Sequence, residues 1–187
     1  MTDFEKSLND SLEMMKSLRA MSGSVRDCAG VCLAALSSGG KLLICGNGGS
    51  AAQAQHLAGE LLGRYKLSRH PLAAITLAAD ASVLTCIGND YSFEDIFSRQ
   101  VQALGRPGDV LIVLSTSGRS PDILEALRTA RAIGVMSIAF LGDDGGAALP
   151  LSDHALVVGH RDTARIQEGH QFLLHCLMDL IEAGLKD

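Results

Sequence analysis

In the run GNGGSAAQAQHLAGELLGR, residues 46–64, His56 and Glu60 stand four residues apart. On a helix they project from one face, one turn above the other. An imidazole beside a carboxylate can exchange protons near neutral pH or share a cation. Just upstream, Gly46, Asn47, Gly48 and Gly49 lead into Ser50 and a helical pattern. Such a turn opens a cup of backbone N–H groups at a helix N-terminus, which suits an anion such as phosphate. Far along the chain, Gln167, Gln171 and His175 recur every four residues, with Ile166, Leu173, Leu177 and Leu180 on the apolar side. Two His, one Glu and one Gln drawn from two helices would make a tetrahedral N/O site suited to zinc. Each piece alone has an ordinary reading, a solvated His/Glu pair or a polar stripe on an amphipathic helix.

A second turn shifts the balance toward a ligand. Ser115-Thr116-Ser117-Gly118-Arg119-Ser120 follows the apolar run Asp109–Leu114, and Pro121 takes the first helical position with Ser120 as N-cap. Its hydroxyls and helix N-terminus can make charge-assisted hydrogen bonds to phosphate oxygens. GNGGSA lacks the spacing of a dinucleotide fingerprint, and no GK[ST] follows to make it a P-loop. In an open α/β sheet both turns fall at the carboxyl ends of strands, where ligands bind. Two such turns together favour a phosphorylated ligand.

The elements that must position these residues read as an α/β chain. Phe4, Leu8, Leu12, Met15 and Leu18 mark a helix over 3–20, and a second is expected over 25–36. Strands are expected at 41–45, 73–77, 109–114, 137–141 and 155–158, the third being the best strand in the chain. Between them come the central helix, a short helix over 81–87 ending in a turn at 88–91, and a helix from Ser92 through Leu104. Another runs from Pro121 to Gly134, and a long one from about residue 163 to 183. Strands alternating with helices predict a five-stranded parallel sheet covered on both faces. The units 41–62 and 109–134 share one layout. A single domain over 1–187 is expected, without repeats, linkers or low-complexity segments.

With 47% apolar residues the chain can fill a core, and a net charge of -5 argues against sequence-independent nucleic-acid binding. An anion must therefore be held by local dipoles and a few arginines. Five cysteines without a CxxC pair read as buried, reduced thiols of a cytosolic protein. Met1–Lys6 has neither a basic nor an apolar region, so no signal peptide is expected, and 71–88 makes a poor membrane span. An amino-terminal helix with apolar residues and no evident partner predicts oligomerisation.

The pattern CGNGGSAAQAQHLAGELLGR, followed by IGNDYSFEDIF, STSGRS, GDDGG and ARIQEGHQFLLH, resembles the phosphoheptose isomerases of the SIS (sugar isomerase) fold over essentially the whole chain. That resemblance implies a three-layer SIS fold and conversion of sedoheptulose 7-phosphate to D-glycero-D-manno-heptose 7-phosphate, the first step toward nucleotide-activated heptose for surface polysaccharide. It also implies a cytoplasmic homotetramer, zinc, and active sites formed between subunits. By resemblance, His56, Glu60, Gln167 and His175 are metal ligands, and Glu60 and His175 are the acid/base pair. Asn47, Gly48, Gly49, Ser50, Asn89, Asp90, Ser115, Thr116, Ser117, Ser120 and Gln167 are sugar-phosphate contacts. The chain departs from some relatives at Thr163, where they carry Asp; here Asp162 precedes it.

Ketose–aldose interconversion without a hydride donor runs through an enediol, which needs a base at carbon, an acid at oxygen and stabilisation of the oxyanion. A carboxylate and an imidazole supply the first two roles. The alternative is a non-catalytic SIS protein that binds a replication initiator as a tetramer; by family pattern such proteins lack the counterparts of Glu60 and His175. A sugar-phosphate-sensing regulatory domain would ordinarily come attached to a DNA-binding domain. His154 and His160 read as surface residues, Arg64 and Arg69 as phosphate contacts or solvated cations, and His170, one turn from Gln167, as a candidate partner behind it.

Overall fold

A computed structural model describes residues 2–185. Helix α1 (Asp3–Ser17) passes through a 3-10 turn into α2 (Ser22–Ser37), and then come β1 (Leu42–Gly46), α3 (Gly49–Leu62) and β2 (Ala74–Thr76). Helices α4 (Ala81–Asp90) and α5 (Ser98–Leu104) precede β3 (Val110–Ser115), α6 (Pro121–Ala132), β4 (Met136–Gly142), β5 (His154–Val158) and α7 (Thr163–Gly184). All strand pairs are parallel, in the order β2-β1-β3-β4-β5. This is the expected five-stranded sheet.

Alternation along the central strands builds two cores. Leu42 and Ile44 of β1 and Val110, Ile112 and Leu114 of β3 face α1, α2, α3 and α7. Leu43, Cys45, Leu111 and Val113 face the layer that holds α5 and α6. Helices α3 and α7 therefore share one side of the sheet and pack through Leu57, Leu61, Leu173 and Leu177. That shared side is what brings residues 56–60 near residue 175.

From β1 the chain turns outward to β2, and from β3 it proceeds the opposite way through β4 and β5. The two neighbouring strands β1 and β3, with Gly46 opposite Leu114, thus flank a topological switch point, and the crevice beyond their carboxyl ends is where such sheets hold ligands. Two local expectations change. Helix α4 continues to Asp90 where a turn over 88–91 is expected: its backbone bonding runs on until the Tyr91 N–H donates to the Ile87 carbonyl at 3.0 Å, and the chain turns only there. The helix expected over 92–104 is a 3-10 turn (Phe93–Asp95) followed by α5.

Candidate active site

At the switch point, Asn47, Gly48, Ser50, Ser115, Thr116, Ser120, Thr163 and Gln167, with Leu114, line a cavity of about 230 Å³. None of these side chains is cationic. An anion here would be held by the N-termini of α3 and α6 and by hydroxyl groups. Gly48 (φ +55) adopts a conformation that side chains disfavour, and it turns the chain into α3. A Cβ on Gly49 would come within 2.7 Å of Gln167 Nε2, so the glycine lets the α7 amide approach the helix end.

The second turn is fixed by its own serines. Ser115 Oγ accepts from the Gly118 N–H at 3.1 Å, and Ser117 Oγ accepts from the Arg119 N–H at 3.2 Å. Each hydroxyl keeps its O–H free to donate. Arg119 is not among the residues that line the cavity and clasps both carboxylate oxygens of Asp144 at 3.0 and 2.8 Å. Gly118 (φ +60) lies against the turn at Gly145-Gly146, where an added Cβ would stand 2.0 Å from the Gly145 carbonyl oxygen. Two glycine turns thus brace each other back to back.

One to three turns along α3 the character changes. His56 Nε2 lies 3.0 Å from Glu60 Oε1 and 3.1 Å from His175 Nε2, and His175 Nε2 lies 3.5 Å from the same oxygen. Three ligand-type atoms converge with few protons to share among them. Glu60 Oε2 is buried and has no hydrogen-bond partner. Burial pushes the Glu60 carboxyl upward while the two imidazoles pull it down; the net shift is upward. Crowded lone pairs beside an unpartnered buried carboxylate oxygen are what a divalent cation relieves, and the donor set (two imidazoles and a carboxylate) fits one.

Neighbouring side chains steady the cluster. The Tyr65 ring stacks on His175 at 5.8 Å between centroids. Gln171 Nε2 lies 3.0 Å from His175 Nε2. Gln53 Nε2 donates to the Gln167 carbonyl at 2.7 Å and ties α3 to α7. At the end of α3, Arg69 donates to the carbonyls of Glu60 (2.7 Å) and Leu61 (2.9 Å) and pairs with Glu182 at 3.0 Å. These bonds satisfy carbonyls that a helix C-terminus leaves open. Burial works to raise the Glu182 carboxyl, but the N–H groups of Leu67 and Lys66 and the Arg69 guanidinium outweigh it and hold it low. Arg69 is therefore a clamp on the helix that carries Glu60, not a solvated cation.

The expected residues divide into those gathered at the two sub-sites and those placed elsewhere. Gln167 lines the cavity against Gly49, and the glutamine beside His175 is Gln171. Asn89 and Asp90 bond each other on the exposed end of α4, outside the residues that line the cavity. Ser117 lies outside the residues that line the cavity, its Oγ accepting from the Arg119 N–H. Asp162 is the N-cap of α7, accepting from the Ala164 N–H at 2.8 Å, while Thr163 lines the cavity. His170 is fully buried and bonds the Leu141 carbonyl at 3.0 Å, so it packs against the sheet and does not back Gln167. Tyr65, Asp122 and Gln53 escape the sequence reading. A first-turn acid just after Pro121 looks like ordinary helix-dipole chemistry, and an aromatic after Gly63-Arg64 looks like loop.

The SIS domain model matches residues 3–142. The phosphoheptose isomerase of Trichlorobacter lovleyi is 48% identical over 181 residues, 96% of this chain and 92% of that protein. The chain belongs to the phosphoheptose isomerase family of SIS-domain proteins. Solved structures agree: the phosphoheptose isomerase of Neisseria gonorrhoeae superposes with a TM-score of 0.92 at 41% identity, covering 96% of this chain and 97% of that one. The Francisella tularensis enzyme gives 0.92 at 37% identity, covering 97% and 98%.

Proposed function

We propose that this protein is an aldose–ketose isomerase that converts sedoheptulose 7-phosphate to D-glycero-D-manno-heptose 7-phosphate through an enediol, the first step toward nucleotide-activated heptose. The observation that carries the reading is the placement of an anion cup and a His/Glu/His group along one helix. Ser50 and His56 are separated by about 9 Å of helix rise, and side chains lean back toward the N-terminus. A seven-carbon chain with phosphate at one end and carbonyl at the other suits that separation.

The phosphate is gripped by the N-termini of α3 and α6 and by the hydroxyls of Ser50, Ser115, Thr116, Ser117 and Ser120. Asn47, Gly48, Gly49, Asn89, Asp90 and Gln167 complete the sugar-phosphate contacts. Glu60 takes the proton from one carbon of the C1–C2 pair and returns it to the other, while His175 moves the proton between the two oxygens. The upward push of burial on Glu60 suits a carboxylate that must hold a proton for part of the cycle. His56, Glu60, Gln167 and His175 would hold a zinc ion, which would supply Lewis-acid polarisation of the substrate carbonyl.

The working unit is the whole of residues 1–187 as one SIS domain, assembled as a cytoplasmic homotetramer with sites between subunits. Exposed Phe4, Leu8 and Leu12 on α1, and an apolar groove between α1, α2 and α7 lined by Met15, Leu18, Val25, Phe172 and Leu180, support assembly. Among the described residues no helix is long and apolar enough to cross a membrane. The presence of Glu60 and His175 disfavours the non-catalytic, replication-initiator-binding alternative.

The deciding experiment incubates the protein with sedoheptulose 7-phosphate and follows the aldose product. No product from metal-loaded protein, together with tight binding to a replication initiator, overturns the reading. Undiminished turnover in protein freed of divalent ions removes zinc from it.

A further inference from the structure

Asp122 is 2% exposed and lies in the first turn of α6. Its Oδ2 accepts a hydrogen bond from Asn47 Nδ2 at 2.8 Å, so it reaches from the second glycine-serine turn to the first. Asn47 lines the cavity; Asp122 does not. A carboxylate under an anion cup is a poor choice if its only task were to fill space. Burial pushes its carboxyl upward, with the Asn47 amide and the Ile123 N–H pulling the other way. The titratable group that faces it from the sheet, on the side α6 covers, is the Cys45 thiol of β1, itself driven up by burial and then by Asp122.

An asparagine amide can turn either way, offering N–H or C=O to a ligand. A carboxylate oxygen accepts only, so it selects the orientation in which Nδ2 turns toward Asp122. We propose that Asp122 is a positioning residue which fixes the Asn47 amide so that its carbonyl oxygen meets a hydroxyl of the bound sugar. Phosphate, an acceptor, is then left to the backbone N–H groups and the serine and threonine hydroxyls. Asn47 becomes a reader of the sugar and not of its phosphate. The inference rests on the sugar-phosphate reading above.

Calorimetry with two ligands, sedoheptulose 7-phosphate and inorganic phosphate, separates the roles. D122L removes the acceptor; sugar-phosphate affinity is expected to fall about tenfold, the order of one well-placed hydrogen bond, while inorganic phosphate binds as in the parent protein. D122N keeps a carbonyl acceptor and should restore most of the sugar-phosphate affinity. Should D122L not fold, D122S, which is too short to reach the amide, replaces it. Equal loss in D122N and D122L, unchanged sugar-phosphate affinity in D122L, or a parallel loss of inorganic phosphate binding would each overturn the assignment. Failure of the parent protein to bind the heptose phosphate while still binding phosphate is a different outcome, because it removes the substrate reading itself.

Discussion

At the amino-terminal end of α3 the cavity is lined by turn backbone, hydroxyls and the side-chain amides of Asn47 and Gln167, several already held by the chain's own bonds. Toward its other end, three side-chain atoms from α3 and α7 crowd together around a carboxylate whose second oxygen has no partner. The cup is a property of turns and tolerates little change in backbone. The cluster is a property of side chains, and its scaffold is two helices clamped by Arg69, Glu182 and Gln53. Binding and chemistry are thus carried by different kinds of structure, so each can be damaged alone.

The sharpest way to break that division is E60Q. It keeps size and hydrogen-bonding capacity but removes the base, and kcat should fall about 10²–10⁴-fold. Inorganic phosphate should still bind with parental affinity in calorimetry. If phosphate binding fell together with kcat, the two sub-sites would not be separable. Near-normal turnover in folded E60Q would remove Glu60 from the proton transfer.

G118A attacks the other half. Alanine must adopt φ +60 and place its Cβ 2.0 Å from the Gly145 carbonyl, which is backbone and cannot swing aside. Left-handed strain and overpacking together should destabilise by about 2–5 kcal/mol, read by urea unfolding, with KM rising more than kcat falls. G49A makes a useful contrast. Its Cβ meets the end of the Gln167 side chain, which can move, so stability should change less while the Gln167 contact is lost. Equal unfolding midpoints for the two variants would argue against the back-to-back turns as the rigid part of the site.

Much of this was legible because it is local. DVLIVL can only be a doubly covered strand, STSGRSP declares a turn and a helix start, and His56/Glu60 share a face by spacing alone. What escaped depends on rotation and distance. Gln167 and Gln171 lie on one stripe of α7, and only the roll of that helix against α3 decides which amide touches His175. Asp122 and Asn47 are 75 residues apart and meet only because β1 and β3 are neighbours. Helix α4 outran its expected end because Gly88-Asn89 reads as a stop, yet the backbone keeps its bonds as far as Tyr91.

The same contrast runs across α7, which carries histidines on opposite terms. His175 is partly open and shared with Glu60, whereas His170 is fully buried at the edge of the Phe140 ring. His170 Nε2 donates to the Leu141 carbonyl, which leaves Nδ1 bare and without a partner. Protonation would place an N–H where nothing accepts it, and burial lowers the pKa from 6.5 to about 4. The unfolded chain takes up this proton near pH 6.5 and the folded one only near 4. The folded state is therefore fully stable with respect to this group above about 6.5, and loses stability as pH falls from there toward 4. The loss amounts to about 3 kcal/mol. H170Q keeps a donor for Leu141 and cannot titrate, so its unfolding free energy should fall less than the parent's between pH 7 and 4, by about that amount. Parallel curves for the two proteins would mean that His170 takes up its proton as readily in the fold as in the unfolded chain, and that an acceptor reaches Nδ1.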